Sequence, residues 1–324
     1  MKKLSSKLGR IPIVVALATV FAAGAVQSVA AMDTVRIALP TKTYYPTIIA
    51  EAAVRKKLFE KEGLKAELTV YRSGAEAFEA VAAGAADITV GSCAIVAAAI
   101  NKGVKTKAIS ATAYGYNGWY LMVKTDSPIK SVEQLNGKKV GITSAGSATD
   151  LLARWTMADK KIKFTTVPLG GGGLVPNLLT GNVDAIVLYS PFSFKVMLSK
   201  NARPLIDYHT VPEHISGVWL ASDKLISQKP EVIQKINNAL FGAVLELKKD
   251  RAAAIKLIAE VDELDPKVAE AELDGDILDL SSTGEMKKEW IARSLDLAKL
   301  IGMTNLAPAS EIFTTKFKPV PTRP

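Results

Sequence analysis

The stretch Val81-Ala82-Ala83-Gly84-Ala85-Ala86-Asp87-Ile88-Thr89-Val90 ends a helical pattern at a glycine and opens an apolar strand three residues later with an aspartate. Gly181-Asn182-Val183-Asp184-Ala185-Ile186-Val187 repeats that arrangement at an offset of 97 for both the glycine and the aspartate. Gly84 and Gly181 can supply the left-handed turn that stops a helix, and each aspartate can tie up loop backbone before its strand begins. These four residues read as architecture, and their recurrence predicts two similar α/β lobes in one chain.

Outward from the first copy, residues 35–39 read as a strand, 47–62 as a helix stopped by Gly63, 68–71 as a strand, 75–83 as a helix and 87–90 as a strand. The rhythm restarts with strand 139–142, helix 147–159, strand 164–167, helix 174–180 and strand 184–187. Such βαβαβ order predicts in each lobe a mainly parallel sheet flanked by helices, with the ligand crevice beyond the carboxyl ends of the strands. Gly118-Trp119-Tyr120-Leu121-Met122-Val123 and Gly217-Val218-Trp219-Leu220-Ala221-Ser222 are matching strand patterns that bracket the second lobe. They predict two hinge crossings, with lobe one built from 32–120 and 220–324 and lobe two from 121–219. Amphipathic helices at 231–249, 251–259, 266–280 and 284–301 are expected to pack on lobe one. The proline-containing end from Ala307 is expected to be extended, wrapped over the surface or frayed.

Residues 1–31 carry a basic head (Lys2, Lys3, Lys7, Arg10), an apolar run over 11–26 and a small-residue exit Ser28-Val29-Ala30-Ala31. This is the pattern of a secretory signal peptide, and the run is short of the roughly 20 residues a membrane span needs. The expectation is export to a Gram-negative periplasm as a soluble chain, cleaved after Ala30 or Ala31, with no cysteine nearby for a lipid anchor. About 293 residues then remain, enough for two domains. Four cations of the +9 formal charge lie in this segment, leaving +5, a mild excess spread along the chain. No nucleic-acid footprint follows from it. Cys93 is the only cysteine, which excludes a disulfide framework and reads as a small buried apolar side chain.

Motifs for catalysis, metal or cofactor binding are missing. His209 and His214 are the only histidines and read as surface or loop residues; neither His-Glu-x-x-His nor Cys-x-x-Cys occurs. Gly170-Gly171-Gly172-Gly173 lacks the Gly-Lys-Ser/Thr of a phosphate loop and reads as a turn that lets backbone approach the crevice. There is no Gly-x-Ser-x-Gly elbow either.

Binding chemistry is present at the predicted strand ends. Thr143-Ser144-Ala145-Gly146-Ser147-Ala148-Thr149 leads from strand into helix, and a helix start with small and hydroxyl residues presents unpaired N–H groups to an anion or polar head group. Plain capping by Ser147 is the competing reading. The other crevice loops offer Thr41, Thr43, Tyr44 and Tyr45 after the first strand, Arg72 and Ser73 after the second, Ser92 after the third, and Tyr189 and Ser190 in lobe two. Tyr116 lies in the aromatic run 114–119 before the first crossing. With Ser144, Ser147 and Thr149 these form the candidate ligand-binding set. The rings favour a ligand with an apolar or flat body, and Arg72 is the one cation placed facing the crevice, where its fork suits a carboxylate or sulfonate, with a solvated surface arginine as the competing and slightly favoured reading.

The chain resembles the nitrate/sulfonate/taurine class of ABC-transporter periplasmic substrate-binding proteins, whose relatives include proteins that bind thiamine-precursor pyrimidines. The resemblance rests on 35–39, on Ala80 to Ile88, on Leu135-Asn136-Gly137-Lys138-Lys139-Val140-Gly141-Ile142 within 131–142, and on Gly181 to Ala185. It implies a two-lobed periplasmic binding protein of type II, a monomer that closes on one small organic anion and delivers it to an inner-membrane permease with a separate ATPase. The alternatives are a thiamine-precursor pyrimidine binding or biosynthesis protein and a sensor that presents its ligand to a receptor. No cluster of basic residues suited to nitrate itself is present.

Overall fold

A computed structural model describes residues 32–317, so the expected signal peptide and its cleavage point lie outside the described residues. The chain runs through β1 (Asp33–Leu39), α1 (Tyr45–Arg55), α2 (Leu58–Lys61), β2 (Leu64–Val70), α3 (Gly74–Ala82), β3 (Ile88–Gly91), α4 (Cys93–Ile100) and β4 (Thr106–Tyr114). It continues with β5 (Tyr120–Lys124), β6 (Lys139–Ile142), α5 (Ala148–Lys160), β7 (Thr165–Pro168), α6 (Leu174–Leu179), β8 (Ala185–Leu188), α7 (Phe192–Leu198) and β9 (Ala202–Asp207). The last part holds β10 (Ile215–Ser222), α8 (Asp223–Gln228), α9 (Pro230–Lys249), α10 (Arg251–Asp262), α11 (Pro266–Gly275) and α12 (Lys288–Leu300).

Two five-stranded sheets result, ordered β2-β1-β3-β10-β4 and β7-β6-β8-β5-β9. In the first, β1 pairs parallel with β2 and β3, while β10 pairs antiparallel with β3 and β4. In the second, β6 pairs parallel with β7 and β8, while β5 pairs antiparallel with β8 and β9. Each sheet is therefore mixed, with four strands running one way and one reversed. The reversed strand is in each case the first one entered after the chain changes sheets, at 115–119 before β5 and at 208–214 before β10.

The glycine–aspartate echo has one physical role in both lobes. Gly84 and Gly181 take φ of 75° and 79°, the left-handed turn that ends α3 and α6. Asp87 Oδ2 accepts the Arg36 backbone N–H at 2.7 Å, and Asp184 Oδ2 accepts that of Lys139 at 2.9 Å. Each carboxylate thus pins the neighbouring strand, β1 or β6, to the start of the third, in place of the loop backbone it was expected to hold. In lobe one the Arg36 guanidinium adds an ion pair to Asp87 at 2.7 Å.

Burial follows the pattern expected of each element. In β1 Val35, Ile37 and Leu39 point inward, whereas all four residues of β8 are buried, as in a strand covered on both faces. α9 buries Val232, Ile233, Ile236, Leu240, Val244 and Leu247, one stripe of the helical period. Full burial of such side chains stabilises by roughly 1.5–3 kcal/mol each. One apolar layer lies between the first sheet and α1, α9 and α10, a second between its other face and α3, α4 and α12, and a third surrounds the second sheet. Residues 307–317 wrap over lobe one: Ala307, Ile312 and Phe317 are buried, and Phe313 bridges to Ala108; the rest of the expected extended end lies outside the described residues. The helix expected over 47–62 is broken, because Lys57 adopts a left-handed φ of 55° between α1 and α2. Among the described residues no helix is long and apolar enough to cross a membrane.

Candidate ligand-binding cleft

Four helices begin around one pocket between the two sheets. α1 follows the loop of Thr41 and Tyr44, and Thr47 Oγ1 donates to the Thr41 carbonyl at 2.6 Å to hold that loop closed. Ser73 caps α3 by accepting the Glu76 N–H at 3.3 Å, and Ser92 caps α4 by accepting that of Ile95 at 3.2 Å. Ser147 caps α5, accepting the Asp150 N–H at 3.4 Å. Thr41, Tyr44, Gly74 and Ser92 line the pocket from one side, and Thr143, Ser147, Ala148, Thr149 and Tyr189 from the other, with Trp119 from the first crossing. The space is about 520 Å³, its open mouth included, a size usual for small-molecule sites.

No lining residue is charged. The polarity comes from hydroxyls and from helix N-termini, whose free N–H groups carry partial positive charge. At α5 three hydroxyls form a triangle: Thr143 Oγ1 to Ser147 Oγ at 2.8 Å, Ser147 Oγ to Thr149 Oγ1 at 2.8 Å, and Thr149 Oγ1 to Thr143 Oγ1 at 3.0 Å. Ser147 donates to the Ser144 carbonyl at 2.8 Å, Thr143 donates to Ser147, and Thr149 accepts the Thr143 backbone N–H at 2.8 Å. Each hydroxyl has a single proton. With the Ser147 and Thr143 protons spent, the Thr149 proton is taken up within the triangle by Ser147 or Thr143, which fixes the three hydroxyls as one unit at the start of α5.

Aromatic rings close the other side. Tyr44 stands edge-on to Trp119 at 5.8 Å and to Tyr189 at 5.2 Å, and Trp119 lies 5.2 Å from Tyr189. Tyr189 donates to Thr41 Oγ1 at 3.4 Å, a bond between residues held by different sheets. Burial pushes its phenol up to about 12, and burial, then Tyr45 and Asp276, hold that of Tyr44 well above its ordinary value. Both rings are therefore neutral donors. The glycine run brings its backbone to this seam: Gly171 N–H donates to the Arg72 carbonyl at 3.1 Å, and a Cβ at 171 would sit 2.6 Å from the Tyr189 hydroxyl.

Of the thirteen candidates, Thr41, Tyr44, Ser92, Ser147, Thr149 and Tyr189 come together in this pocket. Arg72 does not face it: its guanidinium is 84% exposed and paired with Glu76 at 2.7 Å, one helical turn on. Tyr45 points into the core with its hydroxyl 2.7 Å from Thr112 Oγ1, and Thr43 is buried in its loop. Ser73 is occupied in capping, and Gly74 takes its place at the wall. Ser144 lies just off the lining, its hydroxyl buried without a hydrogen-bond partner. Tyr116 is buried on a neighbouring cavity, and Trp119 from the same run supplies the cleft ring. Thr143 and Ser216 also line the pocket and were not among the candidates.

Ser190 turns away from the pocket and donates to Asp276 Oδ2 at 2.6 Å. Asp276 belongs to a buried group with Asp262 and Glu272, and neither oxygen of Asp262 or Glu272 has a hydrogen-bond partner. Burial pushes Asp262 and Asp276 up to about 7, and burial followed by the charge of Asp276 raises Glu272. His214 lies in the loop before β10, as read, but not on the surface: it is buried at 4% exposure and its pKa is lowered by that burial, while His209 is exposed. Cys93 is buried as expected, its thiol pushed up to about 12.

The NMT1/THI5-like family model matches residues 47–254, well over half of the chain. The chain belongs to that family. This NMT1/THI5-like chain is 25% identical over 229 residues to a candidate aliphatic sulfonates-binding protein of Bacillus subtilis (strain 168), an alignment covering 69% of each. Its fold matches the alkanesulfonate-binding protein SsuA of Xanthomonas axonopodis pv. citri, solved with MOPS, at a TM-score of 0.76 and 21% identity over 88% of this chain and 99% of that one. The periplasmic aliphatic sulphonate binding protein SsuA of Escherichia coli matches at 0.72 and 19% identity, over 90% and 95%. The desulfurization enzyme DszB shares the fold more distantly, at 0.61 and 16% identity over 88% and 97%. At these identities the solved structures establish the two-lobed periplasmic-binding-protein fold and leave the ligand to the residues of the cleft.

Proposed function

We propose that this protein is the periplasmic solute-binding component of an ABC importer, and that it holds a small organic anion, a sulfonate or carboxylate with an apolar or aromatic body, for delivery to a permease and its ATPase. The carrying observation is the convergence of capped helix N-termini and hydroxyls on a pocket with no charged side chain and an aromatic wall. A helix N-terminus favours an anion by roughly 0.3–1 kcal/mol when exposed and up to about 2 kcal/mol when partly buried, so several together hold one negative charge without a lysine or arginine. A compact inorganic dianion would lack a counter-charge here, while an organic monoanion also gains from burial against Tyr44, Trp119 and Tyr189. The names of the B. subtilis relative and of the two SsuA structures support this reading.

Ligand contacts drawn from both sheets drive closure, because a ligand shifts an equilibrium only by its differential affinity for the two states. The crossings at 115–119 and 208–214 act as the hinge of that motion. Binding rather than turnover fits the chemistry of the wall: Ser92 and Ser147 are engaged in caps, and the nearby Cys93 thiol is held protonated. The charge-free lining also favours a second reading, a neutral flat heterocycle such as a thiamine-precursor pyrimidine.

The test is a thermal-shift screen of protein stripped of ligand by unfolding and refolding, against alkane- and arylsulfonates, carboxylates, sulfate, nitrate and pyrimidines. A ligand that binds the native state raises Tm by mass action. Shifts confined to organic anions are expected; a shift with neutral pyrimidines alone would overturn the anion and keep the clamp.

A further inference from the structure

A second cavity opens behind Ser92, the residue it shares with the head-group pocket. It encloses about 410 Å³, again with open space included. The two spaces are consecutive along the same elements: Ala148 and Thr149 of α5 line the first and Leu151, Leu152 and Trp155 the second, while Gly217 and Ser216 of β10 give way to Ile215. From Ala148 to Trp155 the helix advances about 10 Å at ~1.5 Å per residue. The far wall comes from α12 and from both crossings, through Tyr116 and His214.

Two polar groups at that far end lack partners. Tyr116 and His214 are 7% and 4% exposed, with ring centroids 5.2 Å apart. The Tyr116 hydroxyl makes no hydrogen bond among the described residues. His214 Nδ1 lies 2.7 Å from the Pro212 carbonyl, which can only accept, so Nδ1 carries the proton and Nε2 is left as a free acceptor. Neither atom is sealed from solvent, so both stay open to a ligand group that enters the cavity.

We propose that this cavity is the compartment for the body of the ligand, so that the cargo is an amphipathic anion about 10 Å long, with its head at the start of α5 and an apolar chain or ring system running past Ser92 towards Trp155, where a terminal hydroxyl or amide can meet Tyr116 and His214. The inference rests on the reading of the first pocket as the anion site. It makes the ligand touch both crossings as well as both sheets, which ties body length to closure.

Calorimetric titration with methanesulfonate and with octanesulfonate tests it, on the wild-type chain and on Leu151→Trp, a half-buried position at which a larger ring fills the compartment without reaching the head-group hydroxyls. Octanesulfonate is expected to bind the wild type at least about a hundredfold more tightly than methanesulfonate, from the burial of successive methylenes. In Leu151→Trp that advantage falls roughly tenfold or more, while methanesulfonate affinity stays within about twofold. If Leu151→Trp lowers Tm markedly, Ala298→Leu on the α12 wall replaces it. Methanesulfonate binding with no gain from chain length, or an equal loss of both ligands in the variant, overturns the compartment and leaves the anion site standing. No binding of either sulfonate overturns both.

Discussion

Two buried polar regions meet at the lobe seam, one residue apart in the chain. Tyr189 faces the cleft, and Ser190 faces the carboxylates of Asp262, Glu272 and Asp276. The cleft is lined by donor-bearing groups, hydroxyls, phenols and helix N–H groups, with no charged side chain among them. The carboxylate group is rich in acceptors: among the described residues Ser190 alone donates to it, and four of its six oxygens have no partner. Opposite imbalances recruit opposite species. A surplus of donors is completed by a ligand that brings negative charge, whereas a surplus of buried acceptors is completed by protons.

The largest effect that would break this contrast is on the donor side. Ser147→Leu removes a cap, dismantles the hydroxyl triangle and puts apolar bulk into the pocket. Ligand affinity should fall at least about a hundredfold, with the cap's loss lowering stability by only ~1 kcal/mol. Tyr44→Ala should weaken binding by roughly ten- to thirtyfold by removing ring contacts. Calorimetry on both variants checks this, and unchanged affinity in both would remove the site.

The acceptor side predicts a pH response of stability. Asp262 and Asp276 rise from ordinary carboxylate values to about 7 in the folded chain, so it holds more protons than the unfolded chain between about pH 4 and pH 7. Their contribution is fully present below that window and is lost as pH rises through about 7. The groups facing them are Lys42, which is ion-paired to Glu263 and lowers Asp262, together with Asp279, Tyr44, Tyr45 and Tyr189. Tm should therefore be higher at pH 5 than at pH 8. Asp276→Asn keeps an acceptor for Ser190 and should raise stability at pH 8 by about 1–3 kcal/mol while flattening the profile. A profile unchanged by the substitution would place the titration elsewhere.

The smallest predicted effect sharpens the contrast from outside. Arg72→Ala should change affinity by less than about twofold, because an exposed i,i+4 pair contributes little and its charge is screened from the cleft. A large loss would mean that the guanidinium swings in with the ligand and that the cleft is not free of side-chain charge when filled.

The fold was legible where a local rule repeats. Gly84 with Asp87 and Gly181 with Asp184 announce a helix stop and a strand start, and the structure uses them for that in both lobes. β4 was not read: its Thr-Lys-Ala-Ile-Ser-Ala-Thr-Ala-Tyr sequence is too small and mixed to show alternation, and its place is set by pairing with β10. The reversed strand of each sheet was likewise invisible, since strand direction is a property of the crossings. In the cleft, the hydroxyls at helix starts were readable because capping residues mark strand-to-helix turns. Between the two readings of Arg72 the deciding signal was local, Glu76 four residues on, which holds the guanidinium at the surface. The run 114–119 marked an aromatic contribution, but which of its rings enters the cleft, the burial of His214 and the carboxylate group had no signal, because loop-ring direction and the meeting of Ser190 with α10 and α11 arise only when the lobes come together.

Selection of a negatively charged head group by an uncharged cleft of hydroxyls, phenols and helix N–H groups is what the geometry leads one to expect. It is tested most directly by comparing one ligand body with two heads: the Kd of octanesulfonate against that of octanesulfonamide, the neutral analogue, at low and moderate salt. The sulfonate is expected to bind at least about tenfold more tightly, with a margin that shrinks little with salt because the head is buried. Equal affinity, or preference for the sulfonamide, would contradict it.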